Sequence, residues 1–285
     1  MDALSQLFCL LGLALPVQSE IAPPALGREG VVLVAAHRGG YSNDKVDNAP
    51  ENSVANVKLA IRKGFDVFET DIQRTADGVF VIVHDSTLDR ETNGSGPVKN
   101  LTLKQLKALR KRYRDGSLSE ERVATLEELL LAGRGKILFK PDLKPGIIDH
   151  FTELAQLITR LKMADQVFLR TGFGDAWEIK SCFENGCPRV EVMFKTKSLA
   201  QVKSVIERFS PRTIQVDIAK GEVVSPDKAD AIREAVRSGV VVQTHCYGDP
   251  KQWQQLAELG VRMFHTGAPK KTLQFLKDNG WRKGE

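Results

Sequence analysis

Residues 31–40 read VVLVAAHRGG and residues 66–85 read DVFETDIQRTADGVFVIVHD. Each begins as an apolar, strand-like run, and each carries ionisable side chains near its end. His37 and Arg38 follow the first, while Glu69, Asp71 and His84 belong to the second. Two imidazoles, a guanidinium and two carboxylates in so short a span suit metal-assisted chemistry on a phosphate. Acids hold a cation, imidazoles move protons and an arginine meets a phosphoryl oxygen. Asp77-Gly78 between the two halves of the second stretch is a hairpin signal. With those two residues as the whole loop, Asp71 lies opposite His84, and Glu69 shares their face by the two-residue period of a strand.

Outward from this stretch, strand-like and helix-like patterns alternate almost to the C-terminus. The strands are expected at Val31–Ala36, Asp66–Ile72, Lys136–Lys144, Gln166–Thr171, Arg189–Phe194, Thr213–Ile218, Val240–His245 and Arg262–Thr266. Helical segments between them include Ser53–Lys63, Ile147–Lys162, Ala176–Glu184, Leu199–Phe209, Asp227–Ser238 and Lys251–Leu259. Alternation of this kind implies a parallel sheet, and eight repeats in a domain of about 250 residues imply a closed (β/α)8 TIM-type barrel. An open doubly wound sheet is the alternative, disfavoured by the lack of a glycine-rich dinucleotide turn after the first strand. The hairpin then elaborates the loop after strand two. Residues 86–135 form a small insertion with helical stretches at Leu103–Lys111 and Leu126–Leu131.

Chemistry in such a barrel sits at the C-terminal ends of the strands. His37, Arg38, Glu69, Asp71 and His84 reach that rim, and strand three adds Asp142 and Lys144, two apart and so on one face. His245 and Asp217 end later strands and line the same rim as weaker choices. Glu51 and Asn52 read chiefly as structural, with Asn52 or Ser53 capping the following helix.

The 41 basic and 36 acidic residues, net +5, describe a solvated surface and not a nucleic-acid footprint. The apolar run Leu7–Leu15 is too short to span a bilayer. With Val17 and Ser19 at the positions a signal peptidase reads, residues 1–19 are expected to be a signal peptide, although no Lys or Arg precedes the run. Residues 20–30 then form a linker and residues 31–285 one domain, exported to a periplasm or secreted. If the segment is instead a helix of the fold, the protein is cytoplasmic. Cys182 and Cys187 flank Phe-Glu-Asn-Gly and suit either a small disulfide loop or unpaired thiols. No cysteine spacing resembles a zinc site.

The motifs His37-Arg38-Gly39, Pro50-Glu51-Asn52-Ser53, Glu69-Thr70-Asp71, Thr75-Ala76-Asp77-Gly78 and Val83-His84-Asp85 resemble the glycerophosphodiester phosphodiesterase family. Leu88-Asp89-Arg90-Glu91-Thr92, Thr125-Leu126-Glu127-Glu128 and Asp142-Leu143-Lys144 extend the likeness over residues 31–144. The resemblance implies a (β/α) barrel that hydrolyses glycerophosphodiesters to glycerol 3-phosphate and an alcohol. It implies His37 and His84 as acid and base, and Glu69, Asp71 and Asp142 as ligands of one divalent cation. It also implies Arg38 and Lys144 as phosphate contacts. All-oxygen ligands suit Mg²⁺ or Ca²⁺. A hydroxyl of the substrate is the expected nucleophile, giving a cyclic phosphate. The partner is then a small phosphodiester, with no nucleic acid and no stable membrane insertion. Asp142 stands where the family usually has Glu. Tyr41–Ala49 lengthens a loop, Thr266-Gly267 replaces the usual Thr-Asp, and Gln243-Thr244-His245 replaces the usual Thr-Val-Asn. Two alternatives share the rim: a lipid-directed phosphodiesterase of lysophospholipase D or sphingomyelinase D type, and a non-catalytic phosphate-binding barrel.

Overall fold

The computed structural model describes residues 26, 30–40 and 48–282. The expected signal peptide, most of the linker and most of the Tyr41–Ala49 loop lie outside them. Three strands and a helix open the chain: β1 (Leu33–Ala36), α1 (Val54–Arg62), β2 (Val67–Arg74) and β3 (Phe80–Ile82). Next come α2 (Leu103–Ala108), β4 (Arg110–Arg112), β5 (Leu118–Arg122) and α3 (Leu126–Ala132). Regular repeats follow: β6 (Leu138–Leu143), α4 (Phe151–Arg160), β7 (Phe168–Gly172), α5 (Ala176–Glu184), β8 (Glu191–Thr196) and α6 (Leu199–Phe209). The chain finishes with β9 (Thr213–Val216), α7 (Pro226–Arg237), β10 (Val241–His245), α8 (Pro250–Glu258), β11 (Met263–Thr266) and α9 (Pro269–Asp278).

The eight expected strands form one parallel sheet, ordered β1-β11-β10-β9-β8-β7-β6-β2 and closed by β1 against β2. This is the (β/α)8 barrel. Side-chain alternation divides it into two environments. One parity, including Val34, Phe68, Phe139, Phe194, Val242 and Phe264, packs outward against the helices. The other turns inward and forms a separate apolar plug of Leu33, Val67, Leu138, Phe168, Met193 and Met263. Two residues further along five of the strands the interior becomes polar: Glu69, Lys140, Arg170, Gln243 and His265. The sequence thus seals the bottom of the barrel and leaves chemistry for the top.

Helix starts follow their capping residues. Ser53, not Asn52, caps α1, its hydroxyl accepting from Asn56 N–H at 3.1 Å. Thr102 with Gln105 and Thr125 with Glu128 form capping boxes on α2 and α3. Part of the expected Leu103–Lys111 helix is instead strand: it stops at Ala108, and β4 pairs antiparallel with β5. Val81, Val83, Leu88, Val98, Leu106 and Val123 form a small core under this elaboration, whereas Leu126, Leu129 and Leu130 join the main core. Cys182, Cys187 and Cys246 are free thiols. Among the described residues no helix is long and apolar enough to cross a membrane.

The hairpin forms, with a correction to its register. Ile72 pairs with Ile82, Gln73 with Val81 and Arg74 with Phe80. Thr75 N–H donates to Val79 C=O at 3.0 Å, so the loop is the three residues Ala76, Asp77 and Gly78. The extra residue slips the ribbon by one. Asp71 C=O therefore accepts from Val83 N–H at 3.2 Å, and His84 is not its cross-strand partner. Gly78 has φ +83°, the left-handed residue that such a loop needs. Gly78→Val is expected to cost about 1 kcal/mol or more, because a β-branched side chain resists positive φ. Urea unfolding read beside activity checks this. Activity should fall further than stability, since the ribbon carries the chain from Asp71 to His84. An unchanged midpoint would show that the loop tolerates a side chain.

Candidate active site

The turn after β1 is held in an unusual shape. Arg38, Gly39 and Gly40 all have positive φ, at 50°, 83° and 75°. A Cβ on Gly39 would meet the Phe68 ring at 2.2 Å, so glycine is required there. Arg38, with no such freedom, is held by its backbone. Its N–H donates to Glu69 Oε2 at 2.7 Å, and its C=O accepts from Asn56 Nδ2 at 2.9 Å. A non-glycine residue kept left-handed by surrounding bonds is a frequent mark of a working site. The Arg38 guanidinium pairs with Glu51 at 3.1 Å and reaches within 4.0 Å of Asp71.

Strands β2 and β6 lie in register, Asp71 beside Asp142 and Glu69 beside Lys140. Each of Glu69, Asp71 and Asp142 offers an oxygen within 4.8 Å of the others. Asn52 fixes the middle one. Its amide donates to Asp71 Oδ2 at 3.1 Å and accepts from Thr70 Oγ1 at 2.9 Å. Lys144 Nζ stands 2.8 Å from Asp71 Oδ1. Arg170 Nη1 donates to Asp142 Oδ2 at 3.0 Å, and Lys140 Nζ is 3.6 Å from Asp142 Oδ1. Burial pushes the Asp142 carboxyl up to about 6, against the pull of Lys140 and with the help of the Glu69 charge. Asp142 Oδ1 accepts no hydrogen bond although buried. A carboxylate oxygen with an ion pair to Lys140 but no hydrogen bond, beside two other acids, fits a hard cation, with the nearby lysines and Arg170 sharing in the neutralisation.

His37 belongs to a second group, with Glu69 and His265, again with ligand atoms within 4.8 Å. Three imidazoles gather here: the His37 ring is 5.3 Å from His265 and 6.2 Å from His245. His245 in turn stacks on Tyr247 at 4.2 Å. His265 Nε2 is 3.4 Å from Glu69 Oε2, close enough for an ion pair but without hydrogen-bond alignment. Lys140 Nζ lies 3.4 Å from His265 Nδ1. That fully buried amine also lies 3.6 Å from Asp142 Oδ1, so it borders both groups; the three carboxylates differ from the imidazole group in offering more negative charge to a hard cation. Burial lowers all three imidazoles, His245 to about 4 and His265 well below its usual value. For His37 the Glu69 charge opposes that shift and the Arg38 charge adds to it.

His84 stands apart from both groups. Its Nδ1 is 2.6 Å from Asp85 Oδ1, and its backbone N–H donates to Glu91 Oε1 at 2.8 Å. The hydrogen bond from Arg90 holds Asp85 down at about 2. Glu91 is itself anchored by Lys111 at 3.1 Å, a pair with no exposure. Lysine and glutamate are rarely so enclosed, and each makes the other's burial affordable. The network orients the backbone at His84. Asp217 pairs with Lys195 at 3.0 Å on β8 and is not part of either ligand group.

His265, Lys140 and Arg170 are the site residues that motif reading did not single out. The signal was the two-residue period. Each follows an inward apolar residue of its own strand by two: Met263, Leu138 and Phe168.

A parallel (β/α)8 barrel whose C-terminal rim gathers carboxylates, imidazoles and an arginine defines a class of barrel suited to phosphate chemistry. Residues 37–271 match the glycerophosphoryl diester phosphodiesterase family model, and the chain belongs to that family. It is 42% identical over 118 residues to a glycerophosphodiester phosphodiesterase of Caldanaerobacter subterraneus, covering 41% of this chain and 46% of that one. It is 41% identical over 117 residues to glycerophosphodiester phosphodiesterase 1 of Mus musculus, 40% of this chain and 34% of that one. These matches span about half or less of the relatives' length. A glycerophosphoryl diester phosphodiesterase structure from Parabacteroides distasonis has the same fold, with TM-score 0.74 at 22% identity over 89% of both chains. So does an Oleispira antarctica phosphodiesterase solved with its product sn-glycerol-3-phosphate, with TM-score 0.68 and 18% identity over 87% of this chain and 97% of that one.

Proposed function

We propose that this barrel hydrolyses glycerophosphodiesters to glycerol 3-phosphate and an alcohol. The observation that carries the reading is the convergence of Glu69, Asp71 and Asp142 beside His37 and Arg38 at the C-terminal rim. Glu69, Asp71 and Asp142 would hold one divalent cation, Mg²⁺ or Ca²⁺. When bound, that ion supplies charge neutralisation at the phosphoryl group. Arg38 and Lys144 bind the phosphoryl oxygens and orient the diester for attack by its own neighbouring hydroxyl. His37, kept neutral by burial, takes the proton from that hydroxyl. His84, its Nδ1 hydrogen-bonded by Asp85, gives a proton to the leaving alcohol. The roles reverse as water opens the cyclic phosphate.

A lipid-directed variant of the same reaction has one supporting observation. Trp177 in the first turn of α5, Val223 after β9 and Tyr247 after β10 are 69%, 82% and 41% exposed. An acyl chain would find apolar contact there.

The test is turnover of a panel of glycerophosphodiesters and lysophospholipids after chelation, with Mg²⁺ or Ca²⁺ added back. Hydrolysis restored by the ion is expected. Activity indifferent to thorough chelation would defeat the metal assignment, and preference for the long-chain substrates would favour the lipid-directed variant.

A further inference from the structure

Beside the rim, between the turn after β1 and the β4–β5 ribbon, lies a cavity of about 380 Å³. Arg38, Arg90, Arg112 and Arg114 line it, against two carboxylates, Glu51 and Glu91. Those two are already engaged. Glu51 accepts from Arg38 at 3.1 Å and from Arg90 at 2.8 Å. Glu91 pairs with Lys111 at 3.1 Å and with Arg90 at 3.2 Å. Arg112 differs from its neighbours. Its Nε donates to Thr92 C=O at 2.8 Å and its Nη1 to Gly116 C=O at 2.9 Å. Two carbonyls fix the plane of the guanidinium, and no ion pair to it forms among the described residues. A half-buried cation, pre-oriented and without a counter-charge, is what an anion site requires. Phosphate and carboxylate both match the planar donor fork.

The cavity shares Arg38 with the catalytic rim, so a ligand in it would be continuous with the scissile phosphate. The glycerol half of the substrate is uncharged and gains nothing from surplus guanidinium. We infer that the cavity receives the alcohol half, and that the preferred substrates are glycerophosphodiesters whose alcohol carries a second anionic group. The inference rests on the hydrolase reading above and narrows its substrate class. Diesters of cationic alcohols such as choline are disfavoured by the same field.

Two diesters separate the outcomes: one whose alcohol is glycerol phosphate and one whose alcohol is choline. At low ionic strength kcat/KM should favour the first by about tenfold or more, and 0.5 M salt should shrink the ratio. Arg112→Gln should bring the ratio close to one, and Arg112→Lys should recover part of it. Arg114→Gln, on the exposed end of the ribbon, should lower the ratio without the two carbonyl bonds being lost, which guards against misfolding of the first variant. A wild-type ratio near or below one, or an unchanged ratio in Arg112→Gln, overturns the inference. If neither diester is hydrolysed with the ion present, the hydrolase reading fails separately. Calorimetric titration with an inositol polyphosphate still decides the subsite: equal affinity for wild type and Arg112→Gln would overturn it.

Discussion

His37→Ala is expected to lower turnover by about 10²–10⁴-fold, the usual contribution of a positioned acid or base, while the barrel remains folded. The expectation follows from where the side chain sits. His37 follows β1 at the barrel mouth, bounded by the His265 and His245 rings and not by the apolar plug. Its removal takes away no large part of the core, so thermal unfolding should move little. The pH profile gives an independent readout. Burial lowers the His37 pKa below 6.5, with Arg38 adding to the effect, so the ring is neutral at pH 7 and able to accept a proton. As pH falls through that lowered value the ring becomes charged and kcat/KM should decline. A cation bound by the adjacent carboxylates shifts the ring in the same direction, so the sign does not change. Loss of this acid limb in His37→Ala, together with the rate loss, identifies the base. Near-wild-type turnover by a folded variant would remove His37 from the chemistry.

The fold was legible because barrel strands carry their own signature. Each of the eight apolar runs sits within a few residues of its expected place, since inner and outer faces of a barrel strand are both covered. The acids at 69, 71 and 142 were legible for a different reason: β2 and β6 are neighbours in register, so two short motifs meet without any long-range inference. What failed was local. Asp77-Gly78 signals a turn equally well with two loop residues or three, and only the bond from Thr75 N–H to Val79 C=O decides between them. One residue of slip moved His84 away from Asp71. What was missed was long-range. His265 meets His37 because β11 closes against β1 in a register that pairs Ala35 with His265. Lys140 then reaches His265 across the barrel interior. Neither closure register nor cross-barrel reach is written in any single segment. The strand-end residues that pointed to chemistry were visible, but the charged layer one step below them was visible only as a parity.

Glu69→Gln should have the largest effect on cation binding, because Glu69 is the one carboxylate shared by both potential ligand groups. The amide is isosteric and can still accept the Arg38 N–H through its oxygen, so the turn after β1 is expected to survive. What it loses is a charge aimed at the two remaining acids. Cation affinity should drop by more than the roughly 10–100-fold typical of losing a mere outer-shell partner, and turnover should fall with it. Asp142→Asn should act in the same direction but less strongly, since Arg170 and Lys140 already offset part of the Asp142 charge. Asp142→Glu, restoring the residue usual in the family, should be tolerated. Calorimetric titration with Mg²⁺ and Ca²⁺ reads all three variants. The ranking is the informative part. If the ion sat instead at the imidazole group, Glu69→Gln would still abolish binding, but Asp142→Asn would leave it intact and His265→Gln would not. Equal affinity for wild type and Asp142→Asn would therefore take Asp142 out of the ligand set and move the ion toward His37 and His265.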